Sequence, residues 1–221
     1  MITNKKWFFF DLDGTLADSI PAMKKAYFNF LHDFDINGTL EEFEELNGPS
    51  ISEIVNILKR KYGLVYKQKH LVDLYRREVK SCYINFARPA NGAQEILTDL
   101  KNKKYNLLLV TSAYRELAFN FIVKQKWNSY FQDYVFGDEV KKAKPDAQIY
   151  SIALKRANTT PEAVVAVEDS PNGIKSAKSA GLYVIGLTGT HPVNKLLDCG
   201  ADMVISHLKD VLTCLETKNA L

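Results

Sequence analysis

The chain has 221 residues, 46% of them hydrophobic and 25% charged, a composition that allows one core or a core with a small second domain. Its formal net charge of +3 is too small to indicate nucleic acid or a membrane surface as a partner. No apolar run approaches the roughly 20 residues that span a bilayer, and three scattered cysteines indicate neither a disulfide framework nor a zinc site. We therefore expect a cytoplasmic protein.

The first predicted element is a strand that ends in two carboxylates. Residues 7–10 form an unbroken apolar run, typical of a strand buried on both faces. If the strand persists to Asp11, its two-residue period places the side chains of Asp11 and Asp13 on one side, and Gly14 then permits a sharp turn. The carboxyl edge of a parallel sheet is where open α/β folds bind ligands. The pair could form a metal site, a nucleophile, an acid/base pair or an ordinary turn.

Residues 18–88 show only helical patterns, which predicts an all-helical insert. Thr39 and Glu42 have the spacing of a capping box at the start of the second helix. The third helix is expected to end near Gly63. The apolar positions predicted to be buried are Met23, Ala26, Tyr27, Phe30, Leu31 and Phe34 in the first helix, Leu40 and Phe43 in the second, Ile51, Ile54, Val55 and Leu58 in the third, and Leu71, Leu74, Tyr75, Val79 and Cys82 in the fourth.

Strands return after this insert and alternate with helices. Apolar runs predict strands at 106–110, 134–136, 164–167, 183–187 and 203–205, with helical patterns between them at 118–125, 149–157 and 174–181. This alternation predicts right-handed βαβ units and a mainly parallel sheet. The fold class is therefore α/β, with a Rossmann-like doubly wound core of residues 1–17 and 89–221 and an inserted helical cap of residues 18–88.

Several polar residues follow the later strands of the predicted core. Thr111 and Ser112 end one strand, and Glu168 and Asp169 end another, while Lys144 precedes the helix around 149–157. Each has an ordinary explanation as a helix cap, a loop acid or a helix start. All of them nevertheless lie on the same predicted edge as the two acids of the first strand.

These side chains have complementary chemistry. Carboxylates crowded at this edge would repel one another strongly unless a cation lay among them. Oxygen ligands without histidine or cysteine suit Mg²⁺, which completes its shell with water and substrate phosphate. Lys144 and the Thr111 hydroxyl supply donors for a tetrahedral anion. The pattern predicts a magnesium-dependent phosphoryl-transfer site.

The motifs and their order resemble the haloacid dehalogenase superfamily. They are D-x-D-G-T-L-x-D-S from Asp11, a strand ending in Thr-Ser, Lys-Pro at residue 144, and V-E-D-S-P-N-G-I from Val167. The helical insert resembles the type I cap of the phosphoglycolate phosphatase and β-phosphoglucomutase branch. One departure is Ala147, which stands where relatives often have a second proline.

The resemblance implies a catalytic and metal-binding role for four acids. Asp11 would be the nucleophile that forms an aspartyl-phosphate, and Asp13 would act as general acid and then general base. The Mg²⁺ ligands would be the Asp11 carboxylate, the Asp13 main-chain carbonyl and Asp169. Glu168 would be a direct ligand or a partner in the outer shell.

The resemblance also implies the groups that bind substrate. Thr111, amides near Ser112, and Lys144 would bind the transferring phosphoryl group. Arg115 is either a substrate contact or a solvated charge at a helix start. In the cap, Gly48 and Pro49 either form the loop that reads the substrate or merely join two helices.

The implied function is a phosphatase acting on a small phosphorylated metabolite such as phosphoglycolate, a sugar phosphate or a nucleotide-like ester, in a monomer or homodimer. The alternatives are a phosphosugar mutase of the same fold and a non-hydrolytic protein that binds a phosphorylated ligand. In the β-phosphoglucomutases that this chain resembles, a histidine occupies the position of Met23. The mutase is disfavoured because this chain lacks that histidine and because residues 46–51 contain no lysine or arginine.

Overall fold

The computed structural model describes residues 5–46 and 49–216. The chain divides into two compact units, one made of the residues up to Asp18 together with those from Pro89 onwards, and the other of Ser19–Arg88. Across the described ranges, no helix is both long enough and apolar enough to traverse a bilayer.

The strands and helices alternate in the first unit, whereas the second unit is helical. The strands of the described chain are β1 (Trp7–Phe10), β2 (Ala17–Asp18), β3 (Arg88–Pro89), β4 (Asn106–Val110), β5 (Asp133–Val135), β6 (Val164–Glu168), β7 (Tyr183–Leu187) and β8 (Met203–Ile205). The helices are α1 (Ile20–His32), α2 (Leu40–Glu45), α3 (Ile51–Tyr62), α4 (Gln68–Phe86), α5 (Ala93–Asn102), α6 (Arg115–Lys124), α7 (Gln148–Arg156), α8 (Pro171–Ser179), α9 (Val193–Asp198) and α10 (Asp210–Glu216).

The core unit is built on a parallel sheet. Within the described residues it has six strands in the order β5-β4-β1-β6-β7-β8, and β2 pairs separately with β3. All the strand pairs of the larger sheet are parallel. The predicted α/β, Rossmann-like fold is confirmed.

Strand β1 lies at the centre of the sheet, between β4 and β6. Its phenylalanines, 8 to 10, are fully buried, as expected for a strand covered on both faces. Phe10 is in register with Leu109 of β4 and with Val167 of β6. The carboxyl ends of these three strands therefore lie side by side, at the point where the chain changes from building one half of the sheet to building the other.

Most of the predicted core elements have the expected bounds. Strands β4, β7 and β8 match, β6 extends one residue further to Glu168, and β5 is shifted by one residue towards the amino terminus. Helix α5 was not predicted, although its buried Ile96, Leu97 and Leu100 have helical spacing. The short helices α9 and α10 were also missed.

The helical unit contains the predicted helices, but one cap differs from expectation. The Thr39 hydroxyl accepts a hydrogen bond from the Glu42 amide at 3.1 Å, as in a capping box. The Glu42 carboxylate does not complete that box, because it is turned inward and accepts hydrogen bonds from the hydroxyls of Tyr27 and Tyr62 instead. Leu40, which was predicted to be buried, is 50% exposed. The complete capping box lies at the start of α3.

Replacing Glu42 by Gln should lower the free energy of unfolding of the helical unit by about 1–3 kcal/mol. The buried carboxylate joins α1 and α3 to α2 through Tyr27, Tyr62 and Lys61, whose ammonium lies 2.8 Å from Oε1. Burial alone would raise the pKa of Glu42, but these hydrogen bonds outweigh it and lower the pKa below its usual value. The stabilisation is therefore present at neutral pH and is lost as the pH falls through the lowered pKa. Urea unfolding followed by circular dichroism, with the exposed Glu44→Gln as control, should show a difference that shrinks in acid.

Candidate active site

Three carboxylates meet at the carboxyl edge of the sheet. Asp11 follows β1, Glu168 is the last residue of β6, and Asp169 follows it. All three are buried, and in the part of the chain that the structure describes their ligand oxygens lie within 4.8 Å of one another. The Asp11 amide donates to the Val167 carbonyl at 3.1 Å, which continues the pairing of β1 with β6 beyond the strand end. Asp11, Glu168 and Asp169, three of the four acids in the predicted set, are thus brought together from distant parts of the chain.

Lys144 lies among these acids and is almost fully buried. Its ammonium donates to Asp11 Oδ1 at 2.7 Å, to Glu168 Oε1 at 2.6 Å and to the Val110 carbonyl at 3.2 Å, which uses all three of its protons. Burial alone would lower the pKa of Lys144, but the two carboxylates outweigh it and raise the pKa above its usual value. The amine is therefore a fixed positive charge beside Asp11.

The two carboxylate oxygens of Glu168 differ in their hydrogen-bond partners. Its Oε1 accepts from Lys144 and also from the buried Tyr150 hydroxyl at 2.5 Å. No described residue donates a hydrogen bond to its buried Oε2. A methyl group at Gly173 would lie 1.9 Å from that oxygen, so the first turn of α8 packs directly against it. Burial raises the pKa of Glu168 to about 7, with repulsion from Asp11 adding to it and Lys144 opposing it.

Asp169 is held by residues from two other strand ends. The Thr190 hydroxyl, after β7, lies 2.7 Å from its Oδ2, and the Thr15 hydroxyl lies 3.4 Å from its Oδ1. Gly14 has a φ of +82°, and a side chain there would start 2.1 Å from Asp169 Oδ2. The glycine therefore allows both the turn after β1 and the close approach of the acid. Burial, together with the charges of Asp11 and Glu168, raises the pKa of Asp169 well above its usual value.

This arrangement fits a hard divalent cation. Burial raises the pKa of Asp11 despite Lys144, and the pKa values of Glu168 and Asp169 are raised as well. Three buried carboxylates face one ammonium, and Glu168 Oε2 is an acceptor to which no described residue donates. The donor set consists of oxygens alone, which suits a cation of the Mg²⁺ type.

Asp13 lies in the turn after β1 rather than in the buried carboxylate cluster. It is partly exposed and forms an isolated parallel bridge with Ala17, while the Gly14 amide donates to the Ala17 carbonyl at 2.9 Å. The family resemblance implies that Asp13 binds the metal through its main-chain carbonyl. That role does not require the Asp13 side chain to join the cluster.

Thr111 and Ser112 follow β4 at the same edge. Thr111 is buried, and its hydroxyl accepts from the Ala113 amide at 3.0 Å, which fixes the position of the oxygen. Ser112 is exposed, and its carbonyl would lie 2.0 Å from any side chain at Gly137. The loop after β4 is thus packed against the loop after β5, with the Gly137 amide donating to the Ala113 carbonyl.

The more peripheral predicted residues are placed differently. Arg115 lies at the start of α6, where its guanidinium is 3.1 Å from Glu139 and 4.5 Å from the ring centre of Phe136. These contacts hold the Arg115 side chain against the surface of the core unit. A role for Arg115 towards substrate stays a prediction. Gly48 lies outside the described residues. Pro49 is partly exposed and directly precedes the Ser50 cap of α3.

Sequence reasoning missed two side chains of this site. Tyr150 has the helical spacing of a core residue, and nothing local indicates that its hydroxyl reaches Glu168. Thr190 follows another strand that ends at the same edge, and this position was a signal that could have identified it.

The fold belongs to the doubly wound α/β class, and acids and a lysine are buried together at the carboxyl edge of its sheet. The chain belongs to the haloacid dehalogenase-like hydrolase family, whose profile matches residues 8–187. It is 31% identical over 213 residues to the phosphorylated carbohydrates phosphatase of Thermotoga maritima, covering 92% of this chain and 98% of that protein. It is 28% identical to the 6-phosphogluconate phosphatase of Escherichia coli K12, with 80% and 79% covered.

A solved structure from Thermotoga maritima, provisionally described as a β-phosphoglucomutase, has the same fold. Its TM-score is 0.78 at 29% identity, with 98% of this chain and all of that chain covered. The family and the class of enzyme predicted from the sequence, a phosphatase of this superfamily, are confirmed by these relatives.

Proposed function

We propose that this protein is a magnesium-dependent phosphatase that hydrolyses a small phosphorylated metabolite through an aspartyl-phosphate on Asp11. The observation that supports this most directly is the buried Asp11 carboxylate, which lies 2.7 Å from the Lys144 ammonium and beside two further buried acids. The relatives named above favour a phosphorylated carbohydrate as substrate. Phosphoglycolate and nucleotide-like esters are the other candidates.

Asp11 is the group that attacks phosphorus. A nucleophilic carboxylate must be ionised, and the contact with Lys144 favours the charged form against the effect of burial. One Asp11 oxygen forms a bond to phosphorus while the bond from phosphorus to the ester oxygen breaks. Water then attacks the phosphorus of the aspartyl-phosphate, which releases inorganic phosphate and restores the Asp11 carboxylate.

Asp13 carries protons in both halves of this reaction. It gives a proton to the departing ester oxygen and later takes one from the attacking water. Its place in the turn after β1, outside the buried carboxylate cluster, is consistent with a group that exchanges protons with substrate and water.

Asp11, Asp169, the Asp13 carbonyl and Glu168 would hold the cation. When bound there, Mg²⁺ offsets the repulsion between the Asp11 carboxylate and an anionic phosphate ester. Glu168 has only Oε2 left for this purpose, because Oε1 already accepts from Lys144 and Tyr150. Its role is therefore a single-oxygen ligand or a partner of a bound water.

Thr111, Ser112 and Lys144 would bind the phosphoryl group. Thr111 presents a hydroxyl whose oxygen is fixed by the Ala113 amide, and Lys144 presents a fixed positive charge. The helical unit would be the cap that selects the substrate, with Gly48 and Pro49 as the segment that reads it.

The proposal is tested by phosphate release from a panel of esters that includes phosphoglycolate, sugar phosphates, nucleoside monophosphates and pyrophosphate. We expect turnover of at least one ester with Mg²⁺ and none with a chelator. Tight binding of an ester without turnover would indicate the non-hydrolytic alternative, and release that persists without metal would contradict magnesium dependence.

Mg²⁺ should raise the melting temperature of the wild-type protein, and Asp169→Asn should remove this effect. A ligand at about ten times its dissociation constant stabilises a protein by about 1.4 kcal/mol, or about 3–6 °C for a chain of this size. The shift arises because the cation offsets the repulsion among the buried acids. Differential scanning fluorimetry with matched ionic strength measures it, and the exposed Asp198→Asn should respond like wild type. An equal shift in Asp169→Asn would place the cation elsewhere.

A phosphosugar mutase is the second candidate, favoured by the similarity to the Thermotoga maritima structure. A mutase returns the phosphoryl group to sugar instead of to water. Conversion of a hexose 1-phosphate to the 6-phosphate, primed with the bisphosphate and faster than phosphate release, would identify it.

A further inference from the structure

The loop after β7 reaches the acidic site through Thr190. The Thr190 hydroxyl lies 2.7 Å from Asp169 Oδ2 and 2.9 Å from the Asp169 main-chain carbonyl. A hydroxyl carries one proton, so its donation is divided between these two oxygens of the same residue. Thr190 is partly buried and belongs to none of the motifs that identify the family resemblance.

Backbone geometry carries Thr190 to this position. Strand β7 neighbours β6, so the residues after both strands emerge at the same edge. The Thr188 amide donates to the Ile205 carbonyl of β8, which anchors the start of the loop. Gly189 then has a φ of +133°, a conformation that residues with side chains rarely adopt, and it turns the chain so that Thr190 faces Asp169.

Asp169 is confined on its other sides as well. The turn at Gly14 packs against the Asp169 carboxylate so closely that a methyl group there would overlap Oδ2. The Thr15 hydroxyl lies 3.4 Å from Oδ1, a longer and weaker contact than that of Thr190. The shorter bond from Thr190 therefore has the larger part in setting the rotation of the carboxylate.

We propose that Thr190 is a positioning residue that orients the Asp169 carboxylate for the divalent cation. The inference rests on the proposed function, because it assumes that Asp169 is a metal ligand. Groups that hydrogen-bond to a metal ligand fix its orientation, and their loss typically weakens metal affinity by about 10–100-fold. Thr190 touches the ligand and not the reacting atoms, so its effect passes through Asp169.

The test compares the Mg²⁺ affinity of Thr190→Val and Thr190→Ser with that of wild type. Calorimetric titration with magnesium chloride, supported by the Mg²⁺ dependence of the melting temperature, measures binding without substrate. Valine has nearly the shape of threonine but lacks the hydroxyl, so we expect affinity to fall by about tenfold or more. Serine keeps the donor and should restore most of the affinity. Thr188→Val, at the start of the same loop, should bind Mg²⁺ like wild type.

The possible results separate this inference from the proposed function. Unchanged affinity in both Thr190→Val and Thr190→Ala would overturn it, even if the metal-free proteins melt at lower temperature, because Thr190 would then only anchor the loop. Equal weakening by serine and valine would overturn it too, since the hydroxyl would not be responsible. Absence of any Mg²⁺ binding by wild type would instead overturn the proposed function, and with it the assumption on which the role of Thr190 depends.

Discussion

Asp11→Asn should reduce phosphate release by a factor on the order of 10³ or more, because it removes the oxygen that we propose bonds to phosphorus. The asparagine amide has nearly the shape of the carboxylate but is a very poor nucleophile. The variant should stay folded, since it removes one of three buried carboxylates that repel one another. Release of phosphate from the best ester of the panel, measured with saturating Mg²⁺, gives the result, and circular dichroism verifies the fold.

The control for this substitution is Asp198→Asn, which makes the same chemical change on the exposed end of α9 and should leave turnover unaltered. The covalent step has its own readout. Acid-quenched wild type incubated with a labelled phosphate ester should retain label on the protein, and Asp11→Asn should not. Full turnover by Asp11→Asn, with Asp11→Ala equally active, would mean that another group attacks phosphorus.

Lys144→Met should destabilise the core unit by about 3–5 kcal/mol in the absence of divalent cation, the usual effect of removing one member of a buried ion pair. The ammonium holds Asp11 and Glu168 at 2.7 and 2.6 Å, and its loss leaves both buried carboxylates without their cation. Urea unfolding followed by tryptophan fluorescence reports on this unit, because Trp7 and Trp127 both belong to it. Turnover should fall as well, since the proposed mechanism uses this positive charge to bind the phosphoryl group.

Lys142→Met is the matched control. Its side chain is 73% exposed and lies 3.5 Å from Asp146, so the ion pair lost is a surface one that contributes about 0–1 kcal/mol. Equal stability losses in the two variants would contradict the view that Lys144 balances the buried acids. Lys144→Arg adds a further comparison, because the planar guanidinium keeps the charge but cannot reproduce the compact contacts of an ammonium.

The sequence alone determined the class of fold and predicted which acids reach the edge of the sheet. Strands inside a parallel sheet are buried on both faces, so each is encoded locally as a continuous apolar run, and β4 and β7 have the predicted bounds for this reason. The polar residues directly after such runs were equally visible, and Asp11, Glu168 and Asp169 were among them. Their grouping could be predicted because parallel strands end at one edge.

Only the tertiary structure decided which side chains hydrogen-bond to the buried acids of the two units. The local pattern at Thr39 and Glu42 predicts a capping box, but the Glu42 carboxylate bonds Tyr27 and Tyr62 from other helices. Tyr150 likewise has the spacing of an ordinary core residue, and its contact with Glu168 depends on how α7 packs.

One physical cause explains why the sequence predicts the strands and helices but not these side-chain contacts. Hydrophobic periodicity is a property of neighbouring residues and is written in the chain, whereas a hydrogen bond between side chains depends on distances that arise only when separate elements pack. Asp169 and Thr190 follow adjacent strands, yet only the turn at Gly189 brings the hydroxyl within 2.7 Å of the carboxylate. The sequence thus determined which groups reach the edge of the sheet, and the packing of β6, β7 and their loops decided which of them touch.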